Sequence, residues 1–540
     1  MDSAQFQAKL EELSTKVDEL AASNEKLADD RDAYRELYLK TLEQCRKLEL
    51  GLRGQQAERL PPNEAQLTLQ VLSTLLGKSD DKSNGEDEQP TQRVREHERK
   101  KPTGRKPLPE DLPHIEIELL PREVEQEGLD AFERIGVEQR EVIERRPASM
   151  VVVVIIRPKF VRKTQQGRPG AKILIAPPPP MPIEGGVAGP GLLADTIARR
   201  WADHLPLHRL EGIYAREAVQ IARSTMCSWH EQLGALCKCL VVAMRTHALE
   251  TSPYLCIDAT GVLVQAKHKC RHGHFWVLVA PGNHVIYGYS KKHNSKAVDK
   301  LLAGYKGYLV ADAHAVYDHL FKNGDVVEVA CWAHARRYFF KALTSDPERA
   351  RIALGLIGEL FRIERKVAGS PRKKRLAARN KESRPIVDKF FTWCDEQLDQ
   401  VLDETPIAKA IGYARNQRKA LERFLEDGML PIHNNISELS LRREVVGRKN
   451  WLFLGSDAAA EVNTTFVSLI ASCQMHGIEP WAYLRDLLCL IPNWPAHRIL
   501  ELAPAFWDET LQKEDTQQRL AADIFRPVTM LKSGSHPDQG

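Results

Sequence analysis

Several things are missing from this 540-residue sequence, and each absence removes a class of protein. No two of the ten cysteines, at 45, 227, 237, 239, 256, 270, 331, 394, 473 and 489, make a Cys-x-x-Cys pair. That scatter fits reduced thiols in a cytosolic protein rather than a disulfide framework. No apolar leader opens the chain, and the longest apolar run, Met150–Ile156, is far too short to cross a bilayer. Charge of one sign is also lacking: the formal net charge is +4, with pI near 8.4. The total permits a nucleic-acid partner without demanding one, but the distribution is uneven. Arg93, Arg95, Arg99, Lys100, Lys101, Arg105 and Lys106 form a basic stretch that faces only two glutamates. The expectation is a soluble, cytoplasmic, multidomain chain with no membrane segment.

What is present falls into blocks. Leu13, Leu20 and Leu27 repeat every seven residues, continued by Tyr34 and Leu48, with Leu10, Val17 and Asn24 at the companion positions. Leucine at d with a lone asparagine at a is the pattern of a parallel two-stranded coiled coil, expected over 1–55, and it points to a homodimer or higher oligomer. A polar, basic linker follows to 110. It is too poor in apolar residues to fold alone and suited to lie along phosphates, with Arg105 and Lys106 as candidate DNA contacts. Residues 111–165 alternate like strands and form a small β-rich module. From 166 to 250 the periodicity is helical. A helix-turn-helix is possible over Leu205–Leu233, with Ser224–Gln232 as second helix and Ser224 as its N-cap.

At Tyr254 the texture changes to strands: Tyr254–Val264, a hairpin of His274–Ala280 and His284–Tyr289 around Pro281-Gly282-Asn283, then Gly307–Ala311 and Val326–Ala330. A charged helical block spans 343–430, with a basic run from Arg372 to Arg384. Helices resume from Asn435, and 476–540 reads as a helical segment and tail. Two aspartates interrupt the apolar strands, Asp258 in Leu-Cys-Ile-Asp-Ala-Thr-Gly and Asp312 in Tyr-Leu-Val-Ala-Asp-Ala-His. A carboxylate there is costly to bury unless it is paired or binds a cation. Two on neighbouring strands share a divalent ion readily, and hard oxygen donors suit Mg²⁺ or Mn²⁺. Strand-end aspartates also cap turns, so spacing alone leaves both readings open.

The segment Asn434-Asn435-Ile-Ser-Glu438-Leu-Ser-Leu-Arg442-Arg443, running on through Gly447-Arg448-Lys449-Asn450-Trp451-Leu-Phe-Leu-Gly455-Ser456, resembles the signature of insertion sequence 66 family transposases. Cys331-Trp-Ala-His334-Ala-Arg336-Arg337 and the stretch from Pro182 to Arg216 resemble further family motifs. The resemblance runs from about 100 to 505. It implies an α/β ribonuclease-H-like catalytic core in two parts, 251–342 and 431–475, split by an all-helical insertion. It also implies a metal triad of Asp258, Asp312 and Glu438. Arg336, Arg337, Arg442, Arg448 and Lys449 become candidate DNA contacts, and His334 and Asn435 candidate supports of the site. Asn434 and Asn435 are suited to cap the helix that carries Glu438.

By the same resemblance the activity is two-metal phosphoryl transfer: binding of terminal inverted repeats, hydrolysis at the element's ends and joining of the 3′-OH ends to target DNA. Accessory proteins of the same element are possible partners. The alternatives are a ribonuclease-H-like nuclease and a catalytically inactive DNA-binding regulator. One departure stands out. Relatives carry a four-cysteine zinc module ahead of the core, whereas 121–167 here holds no cysteine, so no structural zinc is expected. His268, Cys270, His272 and His274 have enough donors for an ion but read better as a basic, DNA-facing hairpin.

Overall fold

The computed structural model describes residues 112–146, 149–165, 172–267 and 269–530, with Lys16, Val17, Arg31 and Tyr38 as isolated additions. The expected coiled coil, the basic linker with Arg105 and Lys106, and His268 lie outside the described residues. Two compact units emerge: 330–433, and 112–329 together with 434–530. Among the described residues, no helix is long and apolar enough to cross a membrane.

The larger unit starts with a β module of β1 (His114–Glu118), a short helix α1 (Arg122–Glu127), β2 (Phe132–Arg146), β3 (Ser149–Arg162) and β4 (Leu174–Ile175). β3 is central, parallel to β1 and antiparallel to β2 and β4. Its apolar run is unbroken because both faces are covered, and Val151 through Ile155 are all buried. The helix α1 breaks the alternation read from the sequence.

Next come α2 (Pro190–Trp201), α3 (Leu207–Arg216) and α4 (Arg223–Thr251). Here the expected second helix of a helix-turn-helix is corrected. α4 runs to Thr251, its N-cap is Ala222, and Ser224 lies inside the first turn. The helix is long because Met226, Trp229, Leu233, Cys237, Leu240, Met244 and Ala248 keep a buried stripe at three- and four-residue spacing.

The second sheet contains β5 (Tyr254–Val264), β6 (Arg271–Ala280), β7 (His284–Ser290), β8 (Gly307–Ala311) and β9 (Val326–Ala330), with α5 (Ser295–Leu301) between β7 and β8. The order across it is β7-β6-β5-β8-β9. β5, β6 and β7 form an antiparallel meander, and Gly282, at φ +73°, makes the turn between the last two. β8 joins β5 in parallel.

The smaller unit is helical: α6 (Trp332–Ala342), α7 (Pro347–Lys366), α8 (Arg372–Ala378), one π turn (Arg379–Ser383), α9 (Arg384–Leu398), α10 (Pro406–Asn416) and α11 (Arg418–Glu422). Trp332, Phe339, Phe390, Phe391 and Phe424 pack its aromatic core. Arg379, drawn from the basic run, is wholly buried. Its guanidinium meets the Glu364 carboxylate through two 2.7 Å bonds and also donates to the carbonyls of Phe424 and Asp427. Full pairing of this kind is what a buried charge requires.

The chain returns to the larger unit through α12 (Asn435–Trp451), α13 (Asp457–Met475), α14 (Pro480–Leu490), α15 (Trp507–Gln512), α16 (Glu514–Ala522) and α17 (Phe525–Met530). α13 closes the open edge of the second sheet. The amides of Val285 and Tyr287 on β7 donate to the hydroxyls of Ser472 and Ser468. α17 seals the β module by setting Phe525 and Val528 against Val142, Val151, Val153 and Ile155.

Candidate active site

β5 and β8 run side by side with Cys256 opposite Val310. Two residues further on stand Asp258, still within β5, and Asp312, the residue just past the end of β8. The ladder between the two strands ends at Cys256 and Val310, and both chains leave it in the same direction, so the two aspartates come just beyond the same end of the ladder. Both are half-buried. Asp258 accepts a 2.7 Å bond from the amide of Ala259. The hydroxyl of buried Tyr317 lies within the field of both: burial first, then the charges of Asp312 and Asp258, raise its pKa. Two hard oxygen donors beyond the same end of a strand ladder are a donor set suited to Mg²⁺ or Mn²⁺.

Glu438 comes to the same strand through α12. Asn434 is fully buried, and its side-chain amide donates 2.8 Å to the carbonyl of Ile257, the residue before Asp258. Its side-chain oxygen accepts from Ser437. Asn434 stands at the N-cap as expected, but its side chain makes no capping bond and instead ties the helix start to β5; Asn435 is the first helical residue and is exposed. Glu438 follows one turn later, its amide on the carbonyl of Asn434 at 3.3 Å. Further along the helix, Arg448 donates to Thr260 Oγ1 at 3.0 Å and to the carbonyl of Gly261, clamping α12 along β5. Arg442 and Lys449 are exposed.

Sequence reading missed a group of rings beside the aspartates. His293 stacks on Trp276 with centroids 4.7 Å apart and planes at 9°. It also meets His314 at 4.5 Å and His274 at 5.1 Å. Burial lowers the pKa of His293, helped by His314 and His274 and opposed by Asp312. His274 is lowered likewise by burial and by His272. His274 thus belongs with His293 and His314 instead of with Cys270, although it was read as one of that hairpin cluster. Only His314, two residues from Asp312, carried a local signal. His293 follows two lysines after β7 and joins the others only through the fold.

His334, Arg336 and Arg337 lie in the first turns of α6, in the helical unit, and all three are half-buried. The Arg336 guanidinium sits 5.8 Å from the Phe340 ring.

Comparison with known proteins bears on the same span. The family model described as Transposase IS66 family matches residues 185–462, which takes in Asp258, Asp312 and Glu438. The IS66 C-terminal element matches 468–505. A model described as Transposase C of IS166 homeodomain matches 41–117, nearly all of it outside the described residues. Three proteins of Sinorhizobium fredii, each named as uncharacterized, are similar. y4qI is 31% identical over 68% of this chain and 71% of its own length, y4hP 28% over 85% and 87%, and y4jD 27% over 81% and 88%. The chain belongs to the IS66 family of transposases.

Proposed function

We infer that the chain binds the terminal inverted repeats of an insertion sequence, cleaves DNA at the element's ends and joins the freed 3′-OH ends to target DNA. The observation that carries this reading is that Asp258 and Asp312 both lie just beyond the end of the β5–β8 ladder, each acting on the Tyr317 hydroxyl, with the Glu438 helix tied to Ile257 beside them. The strand order, an antiparallel meander of three with two further strands beyond the first, supports a ribonuclease-H-like core. Mg²⁺ or Mn²⁺ held by Asp258, Asp312 and Glu438 would supply Lewis-acid stabilisation of the attacking and leaving oxygens.

The residues of the chain do the rest by positioning. Sheet and helix hold Asp258 and Glu438 on regular elements, and Asp312 follows directly on β8, which fixes the three carboxylates better than long loops would. Arg442 and Lys449 are assigned to phosphates, as are Arg336, Arg337, Arg448, Arg105 and Lys106. Water and then the 3′-hydroxyl each form one P–O bond as one breaks, so no covalent protein–DNA intermediate is needed. Two protomers, paired through the heptad segment, would process both ends together in the cytoplasm on nucleoid DNA.

The test is incubation of the full chain with labelled element ends, target plasmid and Mg²⁺ or Mn²⁺. Joined products are expected. Cut ends that never join would make the chain a nuclease, and binding without cleavage would make it a regulator.

A further inference from the structure

The segment Trp451-Leu-Phe-Leu contains a backbone that folded chains rarely tolerate. Leu452 sits at φ 62° and ψ −52°, and the amide of Phe453 bonds back to the carbonyl of Trp451 at 2.7 Å. This is a γ-turn of the strained hand, built on a non-glycine residue. Strain of this kind persists only where the surroundings over-determine it, and here they do. The Leu452 amide closes on Arg448 at 2.8 Å. Leu454 forms a bridge to β5, accepting from Gln265 at 2.8 Å and donating to Leu263 at 2.9 Å. The Leu454 side chain is buried with Val262, Val264 and Phe275, and Trp451 packs against that cluster. The anchors are buried, yet the tip is not: Leu452 is 66% and Phe453 42% exposed. A rigid, strained turn displays two large apolar side chains to solvent.

The tip follows directly on an exposed stripe along α12, where Leu439, Arg442, Val446 and Lys449 recur at three- and four-residue spacing; Phe453 itself lies past the helix end. Apolar residues alternating with cations suit nucleic acid, because the cations take phosphates while apolar wedges enter base steps. A second copy packed on this stripe about a two-fold axis would bring cation against cation. From Glu438 to Leu452 the helix rises about 21 Å, and from Asp258 to Leu263 the strand runs about 17 Å. At about 3.4 Å per base pair, the helix path corresponds to about six base pairs and the strand path to about five.

We propose that Leu452 and Phe453 form a wedge that enters the DNA duplex about six base steps from the phosphate cleaved at the carboxylate site, while Arg442 and Lys449 hold the phosphates between. The distance rests on Asp258, Asp312 and Glu438 being the cleavage centre; the wedge itself is read independently of cleavage. The probe is a set of duplexes of the element's terminal repeat, each with one 2-aminopurine, stepped base by base inward from the end. Wild type raises the fluorescence at one position about six steps in. Asp258→Asn gives the same rise without cutting, so failure of the triad and failure of the wedge are told apart. Leu452→Gly keeps the turn, since glycine adopts positive φ freely. Leu452→Gly/Phe453→Ala loses the rise and cuts about 10-fold more slowly, whereas Phe453→Trp retains both. An undiminished rise in the double variant, with its heat denaturation unchanged, overturns the proposal. So does a double variant that loses a dimer while the rise persists.

Discussion

Glu144 lies on the charged strand β2 and Asp258 on the apolar strand β5, and the two regions treat these carboxyl groups in opposite ways. In the β module Glu144 is wholly buried, and Oε1 accepts from the amides of Arg145 and Leu192 at 2.7 and 2.8 Å, the latter at the start of α2. Gly189 and Gly191 leave room for it; a Cβ at either would lie 2.2 or 2.6 Å from a carboxyl oxygen. Burial, opposed by those backbone bonds, pushes its pKa up to about 8. Glu144 is a buried strut joining module and helix. In the second sheet, Asp258 within β5 and Asp312 just past β8 stay half-buried. Glu144 is closed in by its own module, whereas the two aspartates keep part of their surface open.

The sharpest way to break that contrast is to replace each carboxyl by its amide. Asp258→Asn, Asp312→Asn and Glu438→Gln should each lower end cleavage by about 10³-fold or more while end binding is retained. Glu144→Gln should leave cleavage near wild type, as read by single-turnover cutting of a labelled end. Stability sharpens it from the other side. Glu144→Ala strands two amides and opens a cavity, costing about 2–4 kcal/mol in denaturant unfolding, against less than about 1 kcal/mol for Glu144→Gln.

Smaller effects follow from the rings and from pH. His293→Ala, which removes the ring stacked on Trp276 beside Asp312, should slow cleavage by about 10-fold, and His293→Phe should restore most of it. Because the Glu144 pKa is raised in the folded state, its stabilisation is complete below the usual 4.5 and lost as pH rises through about 8. Melting followed across that window should fall with pH in wild type and fall less in Glu144→Gln. Glu444, pushed up to about 7 by burial, retains a slope of the same sign.

Much of the second sheet was legible in advance. β5, β8 and β9 have the bounds that their apolar runs suggested, and Pro281-Gly282-Asn283 makes the expected turn. Local pattern suffices there because each strand is short and bounded by turn residues. The two aspartates stood out for the same reason. The parallel register that aligns them did not, since it depends on residues fifty positions apart. Buried charges were equally hidden: Glu144 and Arg379 look like surface residues until their partners arrive from α2 and α7. The stretch beyond Gln232 read as helical, but that one helix runs unbroken from Arg223 to Thr251 was missed, because the second helix was drawn only as far as a helix-turn-helix needs.

The account rests on Asp258 and Asp312 holding a divalent ion, and a change of donor atom tests that most directly. Asp258→Cys and Asp312→Cys substitute a soft thiolate for a hard oxygen, disfavouring Mg²⁺ more than Mn²⁺. Single-turnover cleavage of the element's end should proceed in wild type with either ion. In both variants it should fail with Mg²⁺ and return in part with Mn²⁺. Full cleavage with Mg²⁺ in either cysteine variant would contradict the assignment.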